Sequence, residues 1–345
     1  MSHNRTGCHD KPVIAPMPPT LLPKCSAGTS LLAYIVIAKF LDHLPLYRLS
    51  AQFNRFGIDI SRVNLTQWVL KLHDRLEFVL NRFHTYLLQC HVIQVDDDCM
   101  DAGGRGRLEH ALETPFNVKG EKHYAWVYRG EHINVENPYH LILFEHHNGR
   151  ARSVLENTLG EFTGALQSDG YAVYRGNALA NVLLKQGCFA HARRKFFEAL
   201  KILPREKQPE TEAFWFVQQI RALYQIERSI KTLSADQRYQ QRQLKSFPIL
   251  NLIQQRMLDL VSSVPPSTLL GKALHYLNNE WPYLIRYIEL GELHIDNNLC
   301  EQTIRPFVLG RKNSYDLCQP KGKAIPNKEV LFFLFWNGLI KAAEK

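Results

Sequence analysis

The order of patterns along the chain predicts an α/β protein: a mixed sheet preceded by a helical region and interrupted by an all-helical insertion. Three observations predict it. Three strand-like runs, CHVIQVD, KHYAWVYRG and YHLILFEHH, follow one another with turn residues between them, and such strands can pair as an antiparallel meander. Two later runs, GALQSDGY and GCFAH, alternate with the helical patterns ARSVLENTLGEF, GNALANVLLKQ and ARRKFFEALKIL, so they must join in parallel through crossovers. The stretches on either side of this block carry helical periodicity only. Three strands, helix, strand, helix, strand, helix is the ribonuclease-H-like order.

In chain order, residues 1–28 are an extended lead-in rich in Pro, Gly and Ser. Residues 29–88 hold three helical patterns, SLLAYIVIAKFLDH, LPLYRLSAQFNRFG and RVNLTQWVLKLHDRLEFVLNRFHTYLL, with Gly57 as a helix stop. Helix, helix, short turn and longer helix is compatible with a helix-turn-helix, which puts Arg62, Asn64, Thr66 and Gln67 at the start of a recognition helix. A plain helical hairpin packed on the next domain fits equally well. Residues 89–204 are the first part of the catalytic core, and residues 205–290 are a helical insertion, with a capping box from Ser234 to Gln237. Residues 291–345 bring a final helix and the C-terminus. Its start, IDNNLCEQTIRPF, reads as a helix capped by Asn298, with Glu301 completing a capping box and Arg305 pairing at i+4.

The whole chain sets bounds on function. Its 345 residues are 45% hydrophobic and 22% charged, a globular composition long enough for about two domains. The formal charge of +9 and pI of 9.1 suit a polyanionic partner such as nucleic acid. Seven scattered cysteines without a C-x-x-C pair argue against a disulfide framework or a closed zinc site and for a reducing compartment. No apolar run has the length to cross a bilayer and no secretory segment opens the chain. A cytoplasmic, nucleoid-associated protein without a membrane partner is expected.

Acids at strand ends carry the chemistry. Asp96 closes the first strand, followed by Asp97 and Asp98, and Asp169 closes the fourth in LQSDGY. In the predicted sheet those strands are neighbours, so the two carboxylates would repel unless a cation lay between them. Mg²⁺ suits such a place, because it takes a few carboxylate oxygens together with waters and phosphate oxygens. Glu301 would be the third carboxylate of a two-metal site. Against this, Asp-Gly is a strong turn signal and three successive acids also read as a solvated loop. Six Lys/Arg against two Glu between His191 and Lys207, with Arg305, Arg311, Lys312, Lys321 and Lys323 after Glu301, would neutralise phosphates without reading sequence. His191 either bonds a phosphate or packs. Trp215 and Trp281 read as core.

LQSDGYAVY, GCFAHARRKFFEAL and IDNNLCEQTIRPFVLGRKN together resemble the transposases of the bacterial insertion-sequence-66 family. KFLDHLPLYRLSAQFNRFGIDISRVNLTQWV looks like the same family's N-terminal helical region, so the resemblance runs over about residues 10 to 313. It implies a DDE transposase whose catalytic, metal-holding acids are Asp96, Asp169 and Glu301, using Mg²⁺ with Mn²⁺ able to substitute. It also implies DNA partners, both element ends and target, a homo-oligomer that joins two ends, and accessory proteins of the same element. His191, Arg193, Arg194, Arg305, Arg311 and Lys312 are the expected phosphate contacts. The chain departs from the family at several places: Asp97-Asp98 stand for Glu-Thr, Gln302 for Arg and Phe189 for Trp. Near the start, only Cys8 remains of the family's paired cysteines, with Arg5 in the other place; after Asn313 the sequence diverges, as a frameshifted or decayed copy would. Two rivals follow: a remnant that binds DNA without cutting it, and a nuclease that cuts without joining.

Overall fold

The computed structural model describes residues 20–23, 25–99, 116–118, 121–133, 138–147, 150–174, 179 and 181–303, with the side chains of a few strand residues left out. Helices α1 (Thr29–Phe40), α2 (Leu46–Arg55) and α3 (Arg62–Leu88) open it. Gly57, at φ 75°, turns the chain out of α2 in a conformation that costs other residues a clash. Ser61 caps α3 by accepting the N–H of Asn64 at 3.2 Å.

Strands β1 (Val92–Cys99), β2 (Phe116–Val118), β3 (Glu121–His132) and β4 (Tyr139–His147) follow, then α4 (Arg152–Leu159), β5 (Ala165–Gln167), β6 (Leu184–Gln186) and α5 (Phe189–Lys201). The main sheet runs β4–β3–β1–β5–β6, and β2 pairs with the first residues of β3. β3 is antiparallel to β1 and β4, while β1, β5 and β6 are parallel. Alternate residues face opposite sides of a strand, so each strand supplies two layers. Ile93, Val95, Trp126, Tyr128, Leu141 and Leu143 face α4 and the end of α3. Ala125, Val127, Ile142 and Phe144 face α1, α2 and the first half of α3. On the same side, Val92, Ala165 and Leu184 meet α5. A sheet covered on both faces needs apolar residues at successive positions, which is why VIQV and HLILF are not simply alternating.

The helical segment consists of α6 (Glu212–Ser229), α7 (Ala235–Gln241), α8 (Phe247–Val261) and α9 (Leu269–Leu284), and α10 (Asn298–Thr303) ends the described part. The capping box at Ser234 and Gln237 is formed. The segment shares one core with α5: Phe196 stacks on Phe216 with centroids 4.6 Å apart. Trp281 is buried in that core, and Trp215 packs against it. A single turn of π-helix, Arg242–Ser246, joins α7 to α8.

Two expectations are corrected. The strand expected at GCFAH lies earlier, at Leu184–Gln186, inside the stretch expected to be helical. Its backbone pairs with β5, and Leu184 fills the core, so a three-residue buried strand overrode the helical spacing. Phe189 onward is already helix, which puts His191 in the first turn of α5. At α10, Asp296 rather than Asn298 does the capping: its Oδ1 accepts the Asn298 N–H at 3.1 Å. The Glu301 carboxylate leaves Oε1 buried with no hydrogen-bond partner among the described residues. Among the described residues, no helix is long and apolar enough to cross a membrane.

Candidate functional site

Three parallel strands carry the site, and their register builds it. Val92 pairs with Ala165 and Gln94 with Gln167, an offset of 73 residues. Asp96 and Asp169 have the same offset, since 169 − 96 = 73, but the parallel pairing ends at Gln94 and Gln167: Asp96 stays within β1, paired with Val127 of β3, while Asp169 follows the end of β5. Neighbouring strands lie about 4.8 Å apart. β6 continues the pattern: Gln167 pairs with Gln186, and two residues on comes Cys188. Thus three paired strand positions carry glutamines, and two residues after each comes Asp96, Asp169 or Cys188.

The glutamine level is buried and knitted together. Gln94 Nε2 donates to Gln167 Oε1 at 2.6 Å and to the Asp296 carbonyl at 3.2 Å. Gln167 donates to the His294 carbonyl at 2.8 Å, and Gln186 donates to the same oxygen. Arg129, on β3, donates to Gln94 Oε1 at 3.0 Å and pairs with Glu131, which meets His294 Nε2 at 3.0 Å. Burial alone would raise the Glu131 pKa, but His294 and Arg129 outweigh it and hold the carboxyl at about 2. Every one of these bonds ends on, or braces, the segment 293–297 that leads into α10.

The helical segment grips the same stretch from the other side. Tyr224 of α6 donates to Asp296 Oδ2 at 2.7 Å; burial first, and then the Asp296 charge, push its phenol pKa well up. Arg242 is 1% exposed and spends all five donors: two bonds to Glu227, and three to the carbonyls of Tyr287, Leu290 and Leu293. Asn297 Nδ2 reaches the Val95 carbonyl at 3.0 Å. The loop before α10 is therefore fixed to β1, β5, β6 and the helical segment at once, and α10 packs on β1 and β3.

Glu301 rides on that helix. The neighbouring Cys300 thiol, wholly buried between the carbonyls of Gln94 and Val127, has its pKa raised by burial first and then by Asp96, with Glu301 adding to it. One thiol thus feels both acids. Asp169 Oδ1 accepts the Tyr171 N–H at 3.0 Å, so the expected turn is real and the acid sits in it. Gly170 is required there: a Cβ would lie 2.7 Å from the Tyr276 hydroxyl. His191 Nδ1 lies 3.8 Å from Glu301 Oε1.

Arg193 and Arg194 are exposed on α5, and Arg62, Asn64 and Gln67 are exposed at the start of α3. Arg305, Arg311 and Lys312, with Lys321 and Lys323, lie outside the described residues, as do Arg5, Cys8 and the stretch after Asn313; of Asp97 and Asp98 only the backbone is described. The glutamines were missed by reading acids alone. The signal was present: QVD, QSD and QGC each place a glutamine two residues before a ligand-type side chain. Nothing in RQLKS marked Arg242 as buried.

The sequence model described as Transposase IS66 family matches residues 24–324 of this chain. Similar relatives are uncharacterized proteins of Sinorhizobium fredii. The protein y4jD is 29% identical over 89% of this chain and 58% of its own length. For y4qI the figures are 28%, 82% and 51%, and for y4hP 27%, 89% and 56%. The chain spans a little over half the length of these relatives. No solved structure matches it.

Proposed function

The chain belongs to the Transposase IS66 family, and on that premise we propose that it is a DDE-type transposase acting on the ends of its element. The observation that carries this reading is that Asp96 and Asp169 each follow by two residues a glutamine of one paired position in neighbouring parallel strands, and that both glutamines donate to the loop leading into the helix of Glu301. The strand order and directions support a ribonuclease-H-like core around them.

The three acids suit Mg²⁺, with Mn²⁺ as a substitute. They offer only carboxylate oxygens, and Glu301 Oε1 is buried with no hydrogen-bond partner among the described residues. Bound there, divalent cations would supply Lewis acidity to the attacking oxygen and the scissile phosphate. The chain's own groups do the rest. Asp96 and Asp169 are set by the strands, and Glu301 is set by the anchored loop and α10. His191, beside Glu301, and Arg193 and Arg194 on the exposed face of α5 meet phosphate oxygens. Arg62, Asn64 and Gln67 contact end DNA from the start of α3. In the first step a water oxygen bonds to phosphorus and the 3′-oxygen leaves as a hydroxyl. In the second, that hydroxyl attacks a target phosphate and displaces the target's own 3′-oxygen. Joining two ends calls for at least a dimer, with accessory proteins of the element as further partners.

The test is incubation of the purified chain with element-end DNA and Mg²⁺. New 3′-hydroxyl ends and strand-transfer products are expected, both absent in Asp169→Asn. Salt-sensitive binding without cleavage would identify a DNA-binding remnant, and cleavage without joining a nuclease.

A further inference from the structure

Cys188 is the one member of the acid level that the proposed reaction does not use. Its sulfur, a nitrogen of His191 and a carboxylate oxygen of Glu301 all lie within 4.8 Å of one another. Two of the facing atoms, His191 Nδ1 and Glu301 Oε1, are buried and have no hydrogen-bond partner among the described residues. Two fixed elements bring them together: the start of α5, where Cys188 is the residue before the helix and His191 lies in its first turn, held by its core, and α10, held by the anchored loop.

We propose that Cys188, His191 and Glu301 form a second cation site, selective for a thiophilic divalent transition metal such as Zn²⁺ rather than for Mg²⁺. The donor set is one sulfur, one imidazole nitrogen and one carboxylate oxygen, which suits zinc and is poor for magnesium. Tetrahedral zinc, with bonds of about 2.0–2.3 Å, holds its ligands roughly 3.5 Å apart, so the three groups, within 4.8 Å of one another, close by at most about 1.3 Å. Metal enters from the side of His191 and Glu301, which are partly exposed, and meets the buried sulfur last. The thiol proton leaves to solvent as the sulfur–metal bond forms. The Asn297 N–H already donates to that sulfur at 3.3 Å and would serve a metal-bound thiolate in the same way. The fourth position stays open to water.

The consequence, which rests on the transposase reading, is a brake. Zinc at this site takes Glu301 away from the Mg²⁺ site, so Zn²⁺ inhibits cleavage.

The experiment is a Co²⁺ titration of the full chain followed by optical absorption, repeated on Cys188→Ser. A thiolate-to-Co²⁺ charge-transfer band is expected in the wild type, displaced by Zn²⁺ and lost in the variant, with Zn²⁺ affinity reduced at least about a hundredfold. Absence of the band in the wild type, or its persistence in the variant, overturns the proposal. Should Cys188→Ser not fold, anomalous diffraction at the zinc edge from wild-type crystals decides: a peak among the three side chains supports the site, and none overturns it. Because the band does not depend on cleavage, its failure is distinguishable from failure of the transposase reading. Relief of Zn²⁺ inhibition in Cys188→Ser then tests the brake.

Discussion

Two levels of the same three strands, two residues apart, are built on opposite principles. At the first level stand Gln94, Gln167 and Gln186, neutral and buried: Gln94 bonds Gln167, all three donate to the loop above them, and only Gln186 Oε1 among their amide atoms lacks a hydrogen-bond partner among the described residues. Two residues after them come Asp96, Asp169 and Cys188, and Cys188 lies near His191 and Glu301, whose Nδ1 and Oε1 are buried with no hydrogen-bond partner among the described residues. A buried polar network rigidifies when its members are satisfied and is costly when they are not. The first level therefore reads as scaffold and the second as a place that stores unmet bonding for a ligand.

The sharpest way to break this contrast is to neutralise one residue at each level. Asp169→Asn is expected to lower metal-dependent cleavage by about a thousandfold, the upper end for loss of one electrostatic group. Its thermal melt should stay level or rise, because a repulsion is removed. A large fall in melting temperature would make Asp169 scaffold.

At the glutamine level the expected effects are on stability. Glu131 has a folded pKa near 2 against an ordinary 4.5. Its contribution is complete above pH about 4.5, declines as pH falls, and is gone below about 2. The shift corresponds to roughly 3 kcal/mol. Denaturant unfolding between these pH values should fall more steeply in the wild type than in Glu131→Gln; parallel curves would remove Glu131 from the network.

Gln167→Leu removes the bond from the Gln94 amide and one of the two donors to the His294 carbonyl, at a cost of about 1–3 kcal/mol. Because the ladder also aims the loop before Glu301, the same variant should need roughly 10–100 times more Mn²⁺ for half-maximal cleavage. A lower melting temperature with an unchanged Mn²⁺ requirement would separate the ladder from the site.

The smallest effect belongs outside both levels. Arg193→Ala with Arg194→Ala should flatten the salt dependence of DNA binding by about two phosphate contacts, with cleavage of bound DNA little changed. An unchanged slope, read by fluorescence anisotropy, would place that face of α5 away from the DNA.

Much of this was legible in the sequence. Helical spacing together with capping signals located the ten α-helices of the described residues, with α7, which buries no side chain, marked by its capping box. Asp96 and Asp169 were singled out because each ends a strand-like run, yet β1 does not close at Asp96 and continues through Asp97 and Asp98 to Cys99. Strand β6 was not, since three residues carry no period and Leu-Lys-Gln fits a helix as well. The roles of Gln94, Gln167, Gln186 and Arg242 were also hidden. Burial of such groups depends on partners distant in sequence, such as His294 for Gln167 and Glu227 for Arg242. Glu301 looked like a capping residue because of its spacing from Asn298, yet Asp296 takes that task.

The central claim is that Asp96, Asp169 and Glu301 converge on divalent cations. Crystals of the full chain soaked in Mn²⁺ and measured at the manganese edge test it most directly. Anomalous density bounded by the three carboxylates, and lost in Asp169→Asn, is the predicted result. Manganese absent, or bound without Glu301, would contradict it.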